Sequence, residues 1–296
     1  MGRSEVSRRS AGGAVPLAVF SLGLFTAGFL ATLADSFGLG GPSPGPAAWG
    51  ELFSSAWTWR SLGFSAAVAG ASSLLSVTLA VPLALFLHGL PRGAASLAGI
   101  YKTAIVLPHL AVGYLAVLLF SRTGLVGAAL VGADLVPGFE ALPDPFSRGG
   151  GPALVLAYVF KETPYAVLML HASLRKLDPR LAETARMLGA GRGAVLEGIV
   201  LPHLAPILSA TGAILFLYAF GAFDLPWVLG SGDPAMLGIE VYGRYFLRDL
   251  AARPRAAALL SAAGALSFLA AFAVFGAGRS REDRLAALRG EPGAAG

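Results

Sequence analysis

The chain has 296 residues, of which 55% are hydrophobic and only 13% are charged, and its formal net charge at pH 7 is +5. A soluble domain carries roughly 25% charged residues because its surface faces water. The composition therefore excludes an ordinary soluble protein and indicates a surface that lies in a lipid bilayer. The absence of cysteine excludes disulfides and thiolate metal sites.

Six stretches are long and apolar enough to cross a membrane, which takes about 20 residues per helix. In chain order they are Val15–Ala34, Ser61–Leu87, Thr103–Ser121, Pro152–Leu174, Leu204–Phe223 and Ala256–Gly278. Only the fourth is interrupted by charges, at Lys161 and Glu162. Thr123–Val136 is short and contains Asp134, so we predict an interfacial segment there. The predicted fold class is an all-α polytopic membrane protein with six transmembrane helices.

The N-terminal arginines and the apolar stretch after them could also belong to a cleaved signal peptide. That stretch is about twice as long as a typical signal core, which favours an uncleaved anchor. If the N-terminus is cytoplasmic, thirteen of the 22 Lys and Arg residues lie in segments on the cytoplasmic side and seven on the outer side, with Lys102 and Lys161 at or within spans. This bias predicts cytoplasmic termini. Basic charge beside spans serves orientation, so no nucleic-acid partner is expected.

The predicted division of the chain follows these spans. We expect a cytoplasmic tail over 1–14, the first transmembrane helix and an outer loop over 15–60, a core with five transmembrane helices over 61–278, and a cytoplasmic tail over 279–296.

The cytoplasmic loop over 175–206 has the pattern of two short helices joined by a bend. Asp178 is a good N-cap and Pro179 a good first helical residue. Gly189 and Gly191 are predicted to end the first helix, because glycine adopts a left-handed conformation without strain. The second helix is predicted over Val195–Val200.

Two further features of the loop bear on its partner. Leu181, Ala185 and Leu188 form a narrow apolar stripe, and Glu183 is placed to pair with Arg180 or Arg186. Such a helix needs a partner to cover its apolar face. The alternative is a helix lying on the lipid headgroups. The Leu-Pro-His tripeptides at 107–109 and 201–203 are interpreted as turns at span ends, with Pro202 marking the turn into the fifth span.

The loop resembles the EAA signature of binding-protein-dependent ABC importer permeases, which reads E-A-A, three residues, G, nine residues, I-x-L-P. The matching residues are Glu183, Ala185, Gly189, Ile199, Leu201 and Pro202, and Thr184 is the single departure. The resemblance covers roughly residues 60–280 and implies a type I ABC importer permease (MetI-like) fold. It also implies that Glu183, Thr184, Ala185 and Gly189 dock on an ATPase subunit, while Ile199, Leu201 and Pro202 form a hinge.

A second resemblance lies at Phe220–Gly230 and Leu237–Tyr242, which look like the outer end of the fifth span in the polyamine, sulfate, molybdate and ferric-ion branch. Ala222 stands where that pattern often has an acidic residue, so the substrate stays open. The family implies three protein partners: an ABC ATPase subunit, a second permease subunit (identical or paralogous) and an extracytoplasmic solute-binding protein. It implies a multi-pass protein of a bacterial or archaeal inner membrane.

Lys161 and Glu162 lie about 15 Å into the fourth span at 1.5 Å per residue. Intramembrane charges often line a pathway, but they also pair with neighbouring helices or lie at the interface. Asp224 is a further pathway candidate, interpreted as a helix-end or gate residue. No phosphate-binding G-x-x-x-x-G-K-[ST] motif, metal motif or cofactor motif occurs in the sequence.

Three functions remain in competition at this stage. The first is a non-catalytic permease subunit that forms half of a solute pathway. The second is a stand-alone ion-coupled transporter with Lys161 and Glu162 as its relay, although inverted repeats are not evident. The third is a membrane-embedded enzyme, which would need a polar catalytic cluster inside the spans.

Overall fold

A computed structural model describes residues 3–39, 44–91, 99, 101–147, 150–230, 232–246 and 253–288, and these contain no β-strand. The α-helices are α1 (Arg3–Ser36), α2 (Ala47–Ser54), α3 (Ala56–His88), α4 (Thr103–Val106), α5 (His109–Phe120), α6 (Leu125–Gly132), α7 (Gly151–Leu174), α8 (Pro179–Met187), α9 (Arg192–Val195), α10 (Leu201–Gly221), α11 (Asp224–Leu229), α12 (Leu237–Tyr245) and α13 (Arg253–Leu288). A 3₁₀ turn covers Phe139–Ala141.

Six helical stretches of the described residues are long and apolar enough to cross a membrane, which confirms the predicted number. They are Pro16–Ser36, Ala56–His88, His109–Gly132, Gly151–Leu174, Arg192–Gly221 and Arg253–Phe272. Large apolar side chains are exposed along them, as a lipid-facing surface requires.

The third span differs from the prediction of Thr103–Ser121. The helix stops at Val106 and restarts at His109, because Leu107 precedes a proline and is extended, with a ψ of 129°. The candidate span runs on to Gly132 through α6, which forms within the segment predicted to be interfacial. The first Leu-Pro-His is therefore a break between α4 and α5, and it lies at the start of the candidate span His109–Gly132, in agreement with a turn at a span end.

The fifth span also differs, because the predicted turn at Pro202 is wrong. The helix continues without a turn from Arg192 through a π-helical segment, Leu196–Val200, into α10. In this segment the Leu201 N–H donates to the Leu196 carbonyl, five residues back. Proline has no N–H to donate to the preceding turn. The shifted hydrogen bonds of the π segment tolerate this missing donor, so Pro202 is accommodated inside a continuous helix.

Contacts divide the chain into two units. The first comprises Met1–Thr58 and Glu240–Leu266, and in it the Trp49 indole N–H donates to Ser36 Oγ at 3.0 Å. The second comprises Trp59–Ile239 and Ser267–Gly296. The division predicted from the spans stays a prediction.

The core of the second unit lies around α7, the most buried candidate span. Small and branched side chains of α3, α7 and α10 pack together there: Ala80, Ala84, Ala166, Val167, Leu170, Leu174, Leu204 and Leu215. Alanines on α3 allow close approach of the neighbouring helices, which is how helices pack in a bilayer. The loop over 175–206 thus connects directly to the two helices of this core, α7 and α10.

Candidate functional site

Helix α8 begins as the sequence predicts. Asp178 is the N-cap, its Oδ1 accepts a hydrogen bond from the Arg180 N–H at 3.0 Å, and Pro179 is the first helical residue. The carboxylate satisfies one of the free N–H groups of the first turn and interacts favourably with the helix dipole. Local sequence alone fixes this end of the helix.

The other end of α8 is closed by Gly189, which has a φ of +90°. The Gly189 N–H donates to the Arg186 carbonyl at 3.0 Å, and the Ala190 N–H donates to the Ala185 carbonyl at 2.9 Å. These two bonds form a Schellman motif. The prediction for Gly189 is confirmed, but Gly191 does not end α8: it is extended and serves as the N-cap of α9.

The surface of α8 is only partly the predicted one. Glu183 and Thr184 are exposed and Ala185 is half-buried. Among the described residues Glu183 forms no ion pair, so the expected pairing with an arginine is wrong. The most exposed apolar side chains are Met187 and Leu188, with exposed fractions of 88% and 84%. The sequence prediction did not include Met187 in the apolar surface. Its position two residues before the helix-ending Gly189 could have indicated that it is exposed there.

The residues predicted to form a hinge lie where the π segment meets α10. Ile199 belongs to the π segment, and Leu201 and Pro202 form the first turn of α10. The side chains of Ile199 and Leu201 are half-buried, while Pro202 is exposed. A π segment inside a long helix is a common point of adjustment at functional sites. The part of the loop from Arg192 onward is therefore one continuous helix with the fifth span.

Lys161 lies buried on α7, with an exposed fraction of 7%. Its ammonium group donates to the carbonyls of Ala104 and Ile105, each at 2.8 Å, and to the carbonyl of Leu107. These carbonyls are free because the helix breaks before Pro108. A cation at the C-terminal end of α4 also interacts favourably with the helix dipole. Lys161 thus connects the middle of α7 to the backbone at the break between α4 and α5.

Glu162 is also buried, with 3% exposed, but it lies on a different face of α7. Neither of its carboxyl oxygens has a hydrogen-bond partner among the described residues, although the Ser76 hydroxyl of α3 faces it. The hydroxyl of Tyr158, one turn earlier on α7, is fully buried and likewise has no partner there. A polar group this deep needs a water molecule, a ligand or a proton to offset its desolvation.

Asp224 is the first residue of α11, which agrees with a helix-end position. Its Oδ1 accepts a hydrogen bond from the Leu225 N–H at 3.0 Å, and its Oδ2 lies 3.7 Å from Nδ1 of His109. The Tyr218 hydroxyl lies 3.1 Å from His109 Nε2. The structure thus places His109 and Tyr218 beside Asp224, which the sequence analysis missed because it interpreted His109 only as part of a turn.

No described group of three or more His, Cys, Asp or Glu side chains could hold a metal ion.

Residues 76–280 match the family described as the binding-protein-dependent transport system inner membrane component. The chain belongs to this family. The EAA-type loop over 175–206 lies inside the matched region of this inner membrane component, and the predicted resemblance is confirmed.

Relatives by sequence are transport permeases. The chain is 33% identical over 142 residues to a probable ABC transporter permease of Sinorhizobium fredii, covering 48% of this chain and 23% of the relative. It is 30% identical over 182 residues to the molybdenum transport system permease protein ModB of Mycobacterium tuberculosis, covering 60% of this chain and 65% of the relative. The chain thus spans less than two thirds of the length of these curated relatives.

Solved structures confirm the fold. A bacterial ABC transporter involved in the import of the acidic polysaccharide alginate matches with a TM-score of 0.71 and 17% identity, covering 94% of this chain and 98% of that chain. The MetNI methionine ABC transporter matches with a TM-score of 0.56 and 17% identity, covering 75% and 94%. The predicted MetI-like fold with six membrane helices is therefore correct.

Proposed function

We propose that the chain is the membrane-spanning permease subunit of an ABC importer and forms half of its solute pathway. A separate ATPase subunit docks on the loop over 175–206, and a second permease subunit completes the pathway. An extracytoplasmic solute-binding protein delivers the solute. The subunit lies in a bacterial or archaeal inner membrane with both termini in the cytoplasm, and it catalyses no reaction itself.

The observation that carries this proposal is the exposed apolar end of α8. Met187 and Leu188 project from the end of a short helix that is capped at both ends and joined by short turns to α7 on one side and to the continuous helix from Arg192 through α10 on the other. Burying two such side chains against a partner contributes about 3 to 6 kcal/mol. The docking residues proposed are Glu183, Thr184, Ala185 and Gly189, and Ile199, Leu201 and Pro202 pass the movement to α10.

Family membership supports the same partners. A solved structure of similar fold is an alginate ABC transporter in complex with its periplasmic protein, which binds an alginate pentasaccharide. Membership also counts against a stand-alone ion-coupled transporter and against a membrane-embedded enzyme. The pathway itself is proposed to run beside Asp224, with Lys161 and Glu162 shaping its wall from the middle of α7.

Copurification of the ATPase subunit with a tagged chain tests the proposal. Leu188→Glu places a charge on the apolar end of α8, and we expect it to reduce the copurified ATPase roughly tenfold. Ala194→Glu is the matched control, because Ala194 is exposed in the same loop but lies outside α8. Equal copurification with both variants would contradict docking at α8. Absence of an ATPase with the unmodified chain would contradict the whole proposal.

A further inference from the structure

Three polar side chains meet in the second unit where α5, α10 and α11 come together. His109 begins α5, Tyr218 lies in the last turn of α10, and Asp224 begins α11. The rings of His109 and Tyr218 have centroids 5.2 Å apart, the Tyr218 hydroxyl lies 3.1 Å from His109 Nε2 and 3.3 Å from Nδ1, and Nδ1 lies 3.7 Å from Asp224 Oδ2. We call these three residues the His–Tyr–Asp cluster. None of them belongs to the loop over 175–206.

The cluster lies between the middle and the N-terminal end of α7. Lys161, ten residues after the start of α7 and therefore about 15 Å along it, holds the carbonyl of Leu107, two residues before His109. At the N-terminal end of α7, Gly150 lies against the carbonyl of Leu229, the last residue of α11. The start of α11 is therefore deeper in the membrane than its end.

Packing of α5 against α11 supports this depth. His109 lies beside Asp224. Four residues further along each helix, Gly113 lies against Val228: a Cβ added to the glycine would be 3.1 Å from the Val228 Cβ. The two helices are thus parallel, and their N-terminal ends lie at one level inside the bilayer. A carboxylate at that level is too costly to face lipid, so it faces water or protein.

The cluster is also open on one side. The side chains of His109 and Asp224 are 25% and 34% exposed, and Tyr218 is 44% exposed. The Tyr158 hydroxyl of α7 is fully buried and has no hydrogen-bond partner among the described residues, and it is near enough for the Asp224 charge to act on it. A deep hydroxyl without a partner, next to an open cluster, indicates a place where a polar ligand or water completes the hydrogen bonds.

The cluster itself contains one carboxylate, that of Asp224. Glu162 and Asp224 are the two carboxyl groups, and Lys161 is the only Lys or Arg within α5, α7, α10 and α11. The Lys161 ammonium group is already held by three backbone carbonyls and so is not available to a ligand. A second cation would be attracted to the carboxylate of Asp224 and to the π face of Tyr218, whereas an oxyanion would be repelled.

We infer that the His–Tyr–Asp cluster contacts the solute in the translocation pathway and selects a positively charged solute. This inference rests on the proposed function, since it requires the open side of the cluster to face the pathway rather than lipid. It assigns the contact to Asp224 and Tyr218, with His109 holding the two in place. Both an organic amine and a metal cation have the required charge.

Charged thiol reagents test the inference directly, because the chain contains no cysteine. Ile214 is 42% exposed and lies one turn before Tyr218 on α10, so Ile214→Cys places a thiol on the same face. We expect a cationic methanethiosulfonate to react about tenfold faster than an anionic one, after correction for their rates with a free thiol. Adding Asp224→Asn should bring the two rates close together.

The matched control is Leu156→Cys, since Leu156 is 64% exposed on an apolar face of α7. A thiol in lipid does not ionise and should not react with either reagent. Equal rates at Ile214→Cys, or a faster anionic reagent, would overturn the selection of cations. No reaction at Ile214→Cys would overturn the placement of the cluster in the pathway. Because the purified chain suffices for labelling, these outcomes are distinct from a failure to copurify the ATPase.

Protection from labelling then separates the two sources of positive charge. Spermidine serves as the organic cation, manganese ion as the metal cation, and molybdate as the oxyanion. Slower labelling with spermidine alone assigns an amine, and slower labelling with manganese alone assigns a metal ion. Slower labelling with molybdate alone would contradict the inference. If no probe protects, the ratio of the two reagent rates decides.

Discussion

The loop over 175–206 and the middle of α7 are both functional candidates, but they are built in opposite ways. The loop is stabilised by local contacts, such as the Asp178 cap and the bond from Ala190 back to Ala185, and it leaves apolar side chains exposed. The middle of α7 is stabilised by contacts across the fold, with Lys161 bound to carbonyls 54 to 57 residues away in the sequence. The loop is therefore made to receive a partner, whereas α7 fixes the wall of the second unit.

Removing the ammonium group of Lys161 should have the largest effect. Lys161→Met leaves three carbonyls of the helix break without a donor, and we expect a loss of about 3 kcal/mol in folding stability. The measurement is thermal unfolding and membrane yield of the purified chain. Lys102→Met is the matched control, since Lys102 is exposed outside the candidate spans.

A variant with full yield and an unchanged melting temperature would contradict the structural role of Lys161. If uptake alone fell while yield and ATP hydrolysis were kept, Lys161 would act in the pathway rather than in its wall. This single variant thus separates the two roles that the sequence left open.

Straining the end of α8 should have a smaller and more local effect. Gly189→Val places a β-branched residue at a φ of +90°, at a cost of about 2 kcal/mol that falls on the loop and not on the core. We expect normal membrane insertion with little uptake. Gly191→Val is the control, because Gly191 has an ordinary φ of −71° and open space around it. Equal uptake by the two variants would contradict a role for the shape of α8 in coupling.

The comparison also explains which features could be predicted. Both ends of α8 follow from residues within a few positions, namely Asp178, Pro179 and Gly189, so sequence alone was sufficient. Six spans follow from long apolar stretches. The partners of Lys161 could not be predicted, since an intramembrane charge indicates that a partner exists without naming it.

The errors in the prediction have physical causes as well. Two Leu-Pro-His tripeptides are identical in sequence, yet the one at Pro108 breaks a helix and the one at Pro202 does not. The difference lies in the preceding turn, where the π segment Leu196–Val200 accommodates the second proline. His109 was missed as part of a cluster because Tyr218 is 109 residues away in the sequence.

Cross-linking between the loop and the ATPase subunit tests the central claim most directly. Met187→Cys places a thiol at the exposed end of α8, and Leu39→Cys places one just after the first span, on the predicted outer side. In cells that produce both subunits, we predict that Met187→Cys forms a cross-link to the ATPase. We predict that Leu39→Cys forms no such cross-link and is labelled by an impermeant thiol reagent from outside the cell. A cross-link from Leu39→Cys, or labelling of Met187→Cys from outside, would contradict the account.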